Sequence, residues 1–190
     1  GLEWAIGVPG TIGGAVVGNA GAHGSCIADN LLSVSILDAA GMVRELPKTE
    51  LDLGYRQSRF KRARDEIILR AHFRMKQDQP QACIARMNTY TEHRHRTQPT
   101  DPSVGSMFKN PPSAPSASLR AGFAGQLIEQ AGLKGTRVGN VEVSPVHANF
   151  FVNHGGATAS DVMRLIEIVR KHVREKSGVE LELEIEIVGE

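Results

Sequence analysis

The sequence predicts an α+β protein. Three observations carry this: short alternating apolar runs separated by turn residues up to about Lys76, a helix-compatible stretch closed off by prolines, and two apolar patterns at helical spacing set among strand-like segments. Composition agrees, because 190 residues with 41% apolar, 23% charged and 5% aromatic side chains suffice for one or two ordinary cores.

Taken in order, a glycine-rich opening leads into residues 31–37, where apolar and small polar residues alternate before an Asp38-Ala39-Ala40-Gly41 turn. Residues 43–46 are the return strand and 66–75 a further strand, so the first part is β-rich. Residues 81–97 lie between Pro80 and Pro99, each suited to a helix boundary because proline lacks the N–H that a helix interior needs. They form a linker helix. Beyond it, Ala121, Ala124, Leu127, Ile128 and Ala131 recur at helical spacing before Gly132, and Val162, Leu165, Ile166, Val169 and Val173 do so with Ser160 as cap candidate and Gly178 as stop. Strands are expected at 107–109, 141–144, 148–153 and 179–188, giving a β-α-β-β-α-β order with both helices on one face of the sheet. In the last of these, Leu181, Leu183, Ile185 and Ile187 alternate with Glu180, Glu182, Glu184 and Glu186, so one face is buried and the other is a row of carboxylates. The divisions are 1–79, a linker at 80–99, and 100–190.

A net charge of +1 gives no global attraction to nucleic acid or an anionic membrane. The local excess of Arg56, Arg59, Lys61, Arg62, Arg64, Arg70, Arg74 and Lys76 over Asp65 and Glu66 either solvates one face or favours a phosphorylated ligand, the former being preferred for all but Arg56. Cys26 and Cys83 form no CxxC pair and read as reduced, buried thiols of a cytoplasmic protein. The uncharged stretch 5–22 is interrupted by glycines and Pro9, which argues against a membrane span or signal peptide. The start at Gly1-Leu2-Glu3-Trp4, directly before a dense motif, reads as truncated.

Chemistry concentrates in a few segments. Gly7-Val8-Pro9-Gly10-Thr11-Ile12-Gly13-Gly14 and Asn19-Ala20-Gly21-Ala22-His23-Gly24 offer backbone that side chains cannot obstruct, so several N–H groups can face one anionic or heteroaromatic ligand. The spacing is neither that of a Rossmann turn nor of a P-loop, and a structural turn cluster fits it equally well. In Tyr55-Arg56-Gln57-Ser58 the planar arginine fork can grip a carboxylate or phosphate, or simply meet solvent. Gly105-Ser106-Met107-Phe108-Lys109-Asn110-Pro111 sets a serine beside a lysine and an asparagine, without the Gly-x-Ser-x-Gly elbow of a hydrolase. His93 and His95 diverge on a helix and cannot share a metal; His147 is a ligand-contacting or structural group, and no metal is expected.

Together with residues 124–135, His147-Ala148-Asn149-Phe150-Phe151-Val152-Asn153 and the closing Leu-Glu-Leu-Glu-Ile-Glu-Ile-Val-Gly-Glu, these segments resemble the UDP-N-acetylenolpyruvoylglucosamine reductases, in order and spacing along the whole chain. The resemblance implies the C-terminal part of a vanillyl-alcohol-oxidase-type FAD-binding domain followed by a small substrate-binding domain. It implies FAD as cofactor, NADPH as reductant and UDP-N-acetylglucosamine enolpyruvate as substrate, reduced to UDP-N-acetylmuramate for peptidoglycan. Gly7, Pro9, Gly10, Thr11, Gly13, Gly14, Asn19, Ala20, Gly21 and Gly24 would line the FAD. Ser106 resembles the family's proton donor, Arg56 the cation that polarises the substrate carboxylate, and Glu184 the acid that assists enol stabilisation. Tyr55, Lys109, Asn110 and Gln98 would contact the substrate. The short stretch after Tyr55 resembles the subtype without an extra tyrosine-bearing loop. The family's further phosphate-binding glycine loop has no counterpart here, which implies weak FAD binding by this chain alone and an exposed apolar edge. Two other readings fit parts of the pattern: another flavin oxidoreductase of this fold acting on a sugar or hydroxy acid, and an inactive UDP-sugar-binding fragment. The oligomeric state is open, with a monomer favoured.

Overall fold

The computed structural model describes residues 1–63, 65–112 and 123–189; Arg64, Ala121 and Glu190 of the segments above lie outside them. The chain divides into two compact units, Gly1–His93 and Arg94–Glu190, each with its own hydrophobic cluster.

In the first unit, Thr11 caps helix α1 (Ile12–Val17), its hydroxyl accepting from the Gly14 N–H at 3.1 Å. A tight hairpin follows, β1 (Gly21–Ala22) against β2 (Ser25–Cys26). Its two turn residues, His23 at φ 52° and Gly24 at φ 80°, both take the left-handed conformation that a two-residue turn of matching twist requires. After the short helix α2 (Ile27–Asn30), strands β3 (Leu31–Leu37), β4 (Val43–Pro47) and β5 (Ile67–Phe73) form an antiparallel sheet in the order β4-β3-β5. Alternation directs Val34, Ile36 and Leu46 into a cluster with Trp4, Val16, Ile27, Leu31, Leu51 and Phe60, all buried. On β5, by contrast, Ile67 and Leu69 are 59% and 49% exposed. Helix α3 (Pro80–Thr97) matches the helix expected at 81–97; Pro80 opens it, where a missing N–H leaves no bond unmade.

The second unit is a four-stranded antiparallel sheet in the order β6-β9-β8-β7, made of β6 (Ser103–Ser106), β7 (Arg137–Val138), β8 (Val141–Val143) and β9 (Phe150–Asn153). Helices α4 (Ala124–Gln130) and α5 (Ala159–Ser177) pack into one cluster with it: Leu127, Ile128, Leu165, Ile166, Val169 and Val173 meet Val141, Val143 and Phe151. The fold is α+β, as expected.

Four local expectations are corrected. The cap of α5 is Thr158, not Ser160, because only Thr158 has an acidic residue three positions on: its hydroxyl accepts from the Asp161 N–H and Asp161 accepts from the Thr158 N–H. The strand expected at 107–109 lies at Ser103–Ser106 instead. The expected strand at 179–188 reduces to a single bridge, Phe108 to Leu183, flanked by bonds from Lys109 N–H to the Glu182 carbonyl and from Glu184 N–H to the Met107 carbonyl. At Met107 the N–H donates to the Asn149 carbonyl while its carbonyl accepts from Glu184 N–H, so the backbone there is divided between two neighbours. Accordingly Leu181 is fully buried, whereas Ile187 is 57% exposed. Finally, the two cysteines are free and half-buried rather than buried.

Gly139 supplies a check on the second unit. Its φ of 53° is left-handed, and an added Cβ would lie 2.6 Å from the Asp161 carboxyl carbon. Gly139→Ala should cost about 1–2 kcal/mol in backbone strain alone and disturb the α5 cap besides, lowering the thermal midpoint by several degrees. Unfolding at the parental temperature would show that the loop relaxes without loss.

Candidate active site

In the first unit the structure gathers the glycine segments and the arginine turn. Asn19, buried and left-handed at φ 40°, uses both ends of its amide: Nδ2 donates to the Gly54 carbonyl at 2.8 Å and Oδ1 accepts from Ala28 N–H at 3.0 Å. Gly54 opens a tight turn closed by reciprocal bonds with Gln57, and Tyr55 and Arg56 stand at its tip. Arg56 has φ 53°, a costly conformation for a residue with a side chain, which the surrounding bonds impose. Its guanidinium lies against the Tyr55 ring, 5.3 Å from the centroid, and donates from Nη2 to the Gly21 carbonyl at 3.1 Å. Gly21 must be glycine, since a Cβ there would stand 2.7 Å from the Ser25 carbonyl. Beneath the turn, the buried Ser58 hydroxyl donates to the Val17 carbonyl at the end of α1 at 2.6 Å. Tyr55 is exposed, as are Gly7, Pro9, Gly10 and Thr11.

In the second unit, Ser106 ends β6 after Gly105, whose φ of 82° bends the strand. The bond from Glu184 N–H to the carbonyl of Met107 sets the Glu184 backbone against the residue that follows Ser106. Lys109 reaches Glu182 at 3.4 Å, and the Asn110 amide oxygen accepts from Ala124 N–H at the start of α4. Gln98 sits just past the end of α3, its N–H bonded to the Arg94 carbonyl. Burial is the main force holding the His147 imidazole pKa below its ordinary value, and Nδ1 accepts from the Asn149 N–H at 3.2 Å.

Residues 98–188 match the model of the UDP-N-acetylenolpyruvoylglucosamine reductase C-terminal domain, and residues 1–47 that of an FAD binding domain. A UDP-N-acetylenolpyruvoylglucosamine reductase of Rubrobacter xylanophilus is 49% identical over all of this chain and 61% of its own length. That of Bacillus subtilis is 40% identical, over all of this chain and 60% of its own. The crystal structure of the Thermus caldophilus reductase superposes with a TM-score of 0.80 at 36% identity, over 98% of this chain and 63% of that one. Along its whole length the chain is thus similar to UDP-N-acetylenolpyruvoylglucosamine reductases. It spans about three fifths of the length of the curated relatives it matches.

The residues of this chain suit an FAD in kind. Gly10 is exposed at φ 112°, with nothing within 4 Å of where a Cβ would point. Beside it, a cleft of about 380 Å³ is lined by Ile12, Gly13 and residues 68–72 of β5. A lining that mixes apolar side chains with Arg70 and His72, close to glycine backbone, suits a ligand that is part apolar ring and part anionic group. A larger cleft, of about 500 Å³ between β7 and α5, contains none of the expected site residues, and the chemistry favours the smaller one. Asn19 and Gly21 are spent on the fold through side chain and backbone packing, so their part toward a cofactor would be carried by the remaining backbone.

One residue was missed by sequence reasoning. Asn149 is buried, its Oδ1 accepting from Phe108 N–H at 3.0 Å and its Nδ2 donating to the Phe108 carbonyl at 2.8 Å, so a side chain completes the backbone pairing beside Ser106. The available signal was a single amide inside the apolar run from Ala148 to Val152. Asn149→Leu strands two buried backbone groups and should destabilise the protein by about 2–4 kcal/mol in denaturant titrations; a change below about 1 kcal/mol would show that the Phe108 backbone finds other partners.

Proposed function

We propose that this chain provides the substrate-handling part, and much of the flavin contact, of an enzyme that reduces UDP-N-acetylglucosamine enolpyruvate to UDP-N-acetylmuramate, with NADPH as electron source. The observation that carries the reading is the arginine turn. Arg56 donates to the Gly21 carbonyl, which lies in the segment 1–47 that matches the FAD-binding model, so a cation able to polarise a carboxylate is anchored on that segment. FAD, when bound, supplies hydride chemistry to the enolpyruvyl group. The residues that would hold it are Gly7, Pro9, Gly10, Thr11, Gly13, Gly14, Asn19, Ala20, Gly21 and Gly24.

The chain's own residues then divide the remaining work. Arg56 grips the substrate carboxylate with its planar fork and draws charge toward it. The Ser106 hydroxyl gives up a proton to the substrate carbon left electron-rich, and Glu184, on the neighbouring segment, stabilises the enol form. Tyr55, Gln98, Lys109 and Asn110 orient the nucleotide-sugar. A cytoplasmic setting fits two thiols that form no disulfide.

Arg56→Lys keeps the charge and loses the two-pronged grip. Steady-state kinetics of the FAD-loaded protein should show kcat/KM reduced roughly tenfold or more; values within twofold of the parent would remove Arg56 from carboxylate binding. The Ser106 role is separable from flavin reduction, because reduction by NADPH needs no proton from this residue. In stopped-flow absorbance at the flavin band, Ser106→Ala should leave bleaching by NADPH intact and slow reoxidation by substrate roughly 10²- to 10⁴-fold. Ser106→Cys, which retains a proton to give, should recover part of that loss. Equal slowing of both half-reactions would assign the serine to positioning and move the acid to Glu184.

A further inference from the structure

The hairpin β1–β2 that supplies the Gly21 carbonyl is poorly self-sufficient. It has only two residue pairs, Gly21 with Cys26 and Ala22 with Ser25, and such a short ribbon is marginal in water. Its turn also places His23, a residue with a side chain, in left-handed backbone at φ 52°. What holds the turn lies on α3: the His23 ring stacks on Tyr90 with centroids 4.3 Å apart and planes 22° apart, and meets His93 edge-on at 5.4 Å. Tyr90 in turn packs against the buried cluster of the first unit. One helical turn earlier, Arg86 binds Glu3 and Asp78, both at 2.7 Å, which fixes the helix to its own unit.

These contacts form a chain from Tyr90 through the His23 ring and the β1 backbone to the Gly21 carbonyl and the Arg56 guanidinium. We propose that Tyr90 is a positioning residue for Arg56, setting the guanidinium through the His23 turn. The inference rests on the carboxylate-gripping role given to Arg56 above. A two-pronged grip depends on the angle as well as the distance of the fork, so a small shift of the carbonyl that anchors it weakens binding and rate together. The stack needs the ring of Tyr90 and makes no use of its hydroxyl.

A double-mutant cycle tests this in the FAD-loaded protein. Tyr90→Leu should lower kcat/KM for the enolpyruvyl substrate by roughly tenfold, and Tyr90→Phe, which keeps the ring, should stay within twofold of the parent. With the fork already lost in Arg56→Lys, adding Tyr90→Leu should cost less than about twofold. His23→Asn, which tolerates the left-handed turn but removes the ring, should behave like Tyr90→Leu, and serves if the latter folds poorly. A second readout is the Arg56 side-chain Nε–H resonance, identified by its loss in Arg56→Lys: it should move in Tyr90→Leu and in His23→Asn, and hold its position in Tyr90→Phe. Equal costs of Tyr90→Leu in both backgrounds, or an Nε–H signal unmoved by loss of either ring, would overturn the positioning role. If Arg56→Lys alone leaves the kinetics unchanged, the carboxylate reading fails, and the resonance still decides whether Tyr90 sets the guanidinium.

Discussion

The side-chain amide of Asn19 joins parts of the first unit that sequence separates widely. By taking Ala28 N–H and giving to the Gly54 carbonyl, it ties the end of the glycine-rich opening to α2 and to the base of the arginine turn. A buried amide with both ends satisfied strengthens a fold, whereas one left half-paired costs more than an apolar residue would. The left-handed backbone at Asn19 and the similar strain at Arg56 persist because these bonds over-determine them. The turn that presents Arg56 is therefore a product of long-range bonding, with little help from its own sequence.

The second unit repeats the device with a different amide. Asn149 lies in an apolar run and bonds the backbone of Phe108 as a neighbouring strand would. Met107 in turn divides its N–H and carbonyl between Asn149, just before β9, and the segment holding Glu184. The segment holding Glu184 is thus tied by its backbone to the residue after Ser106 at a break in sheet regularity. A continuous ladder would have buried the same backbone in ordinary pairing, with no reason for the chain to bend at Gly105.

Much of the architecture was legible because it follows from periodicity. Strands β3, β4 and β5 and helices α3 and α5 lie close to where alternation and helical spacing put them. The C-terminal segment shows where that reasoning stops: its alternation is strict, yet alternation describes which side chains seek burial and not whether a partner strand has backbone groups to spare. Likewise Ser160 has a suitable hydroxyl, but a cap is a reciprocal arrangement, and only Thr158 has Asp161 to answer it. At the site, the motif residues could be named from sequence, while the anchoring of Arg56 at Gly21 could not, since it joins residues 35 positions apart.

Strand β5 has a partner on one side only among the described residues, and its Ile67 and Leu69 face water. Its colloidal behaviour follows from that geometry. A net charge of +1 offers almost no mutual repulsion, so two chains can approach closely enough for one β5 to template another through backbone hydrogen bonds. Such association would strengthen with concentration and respond little to ionic strength, because it draws on apolar area and amide pairing instead of ion pairs. Anything that occupies the free side of β5 would act as a solubilising cover.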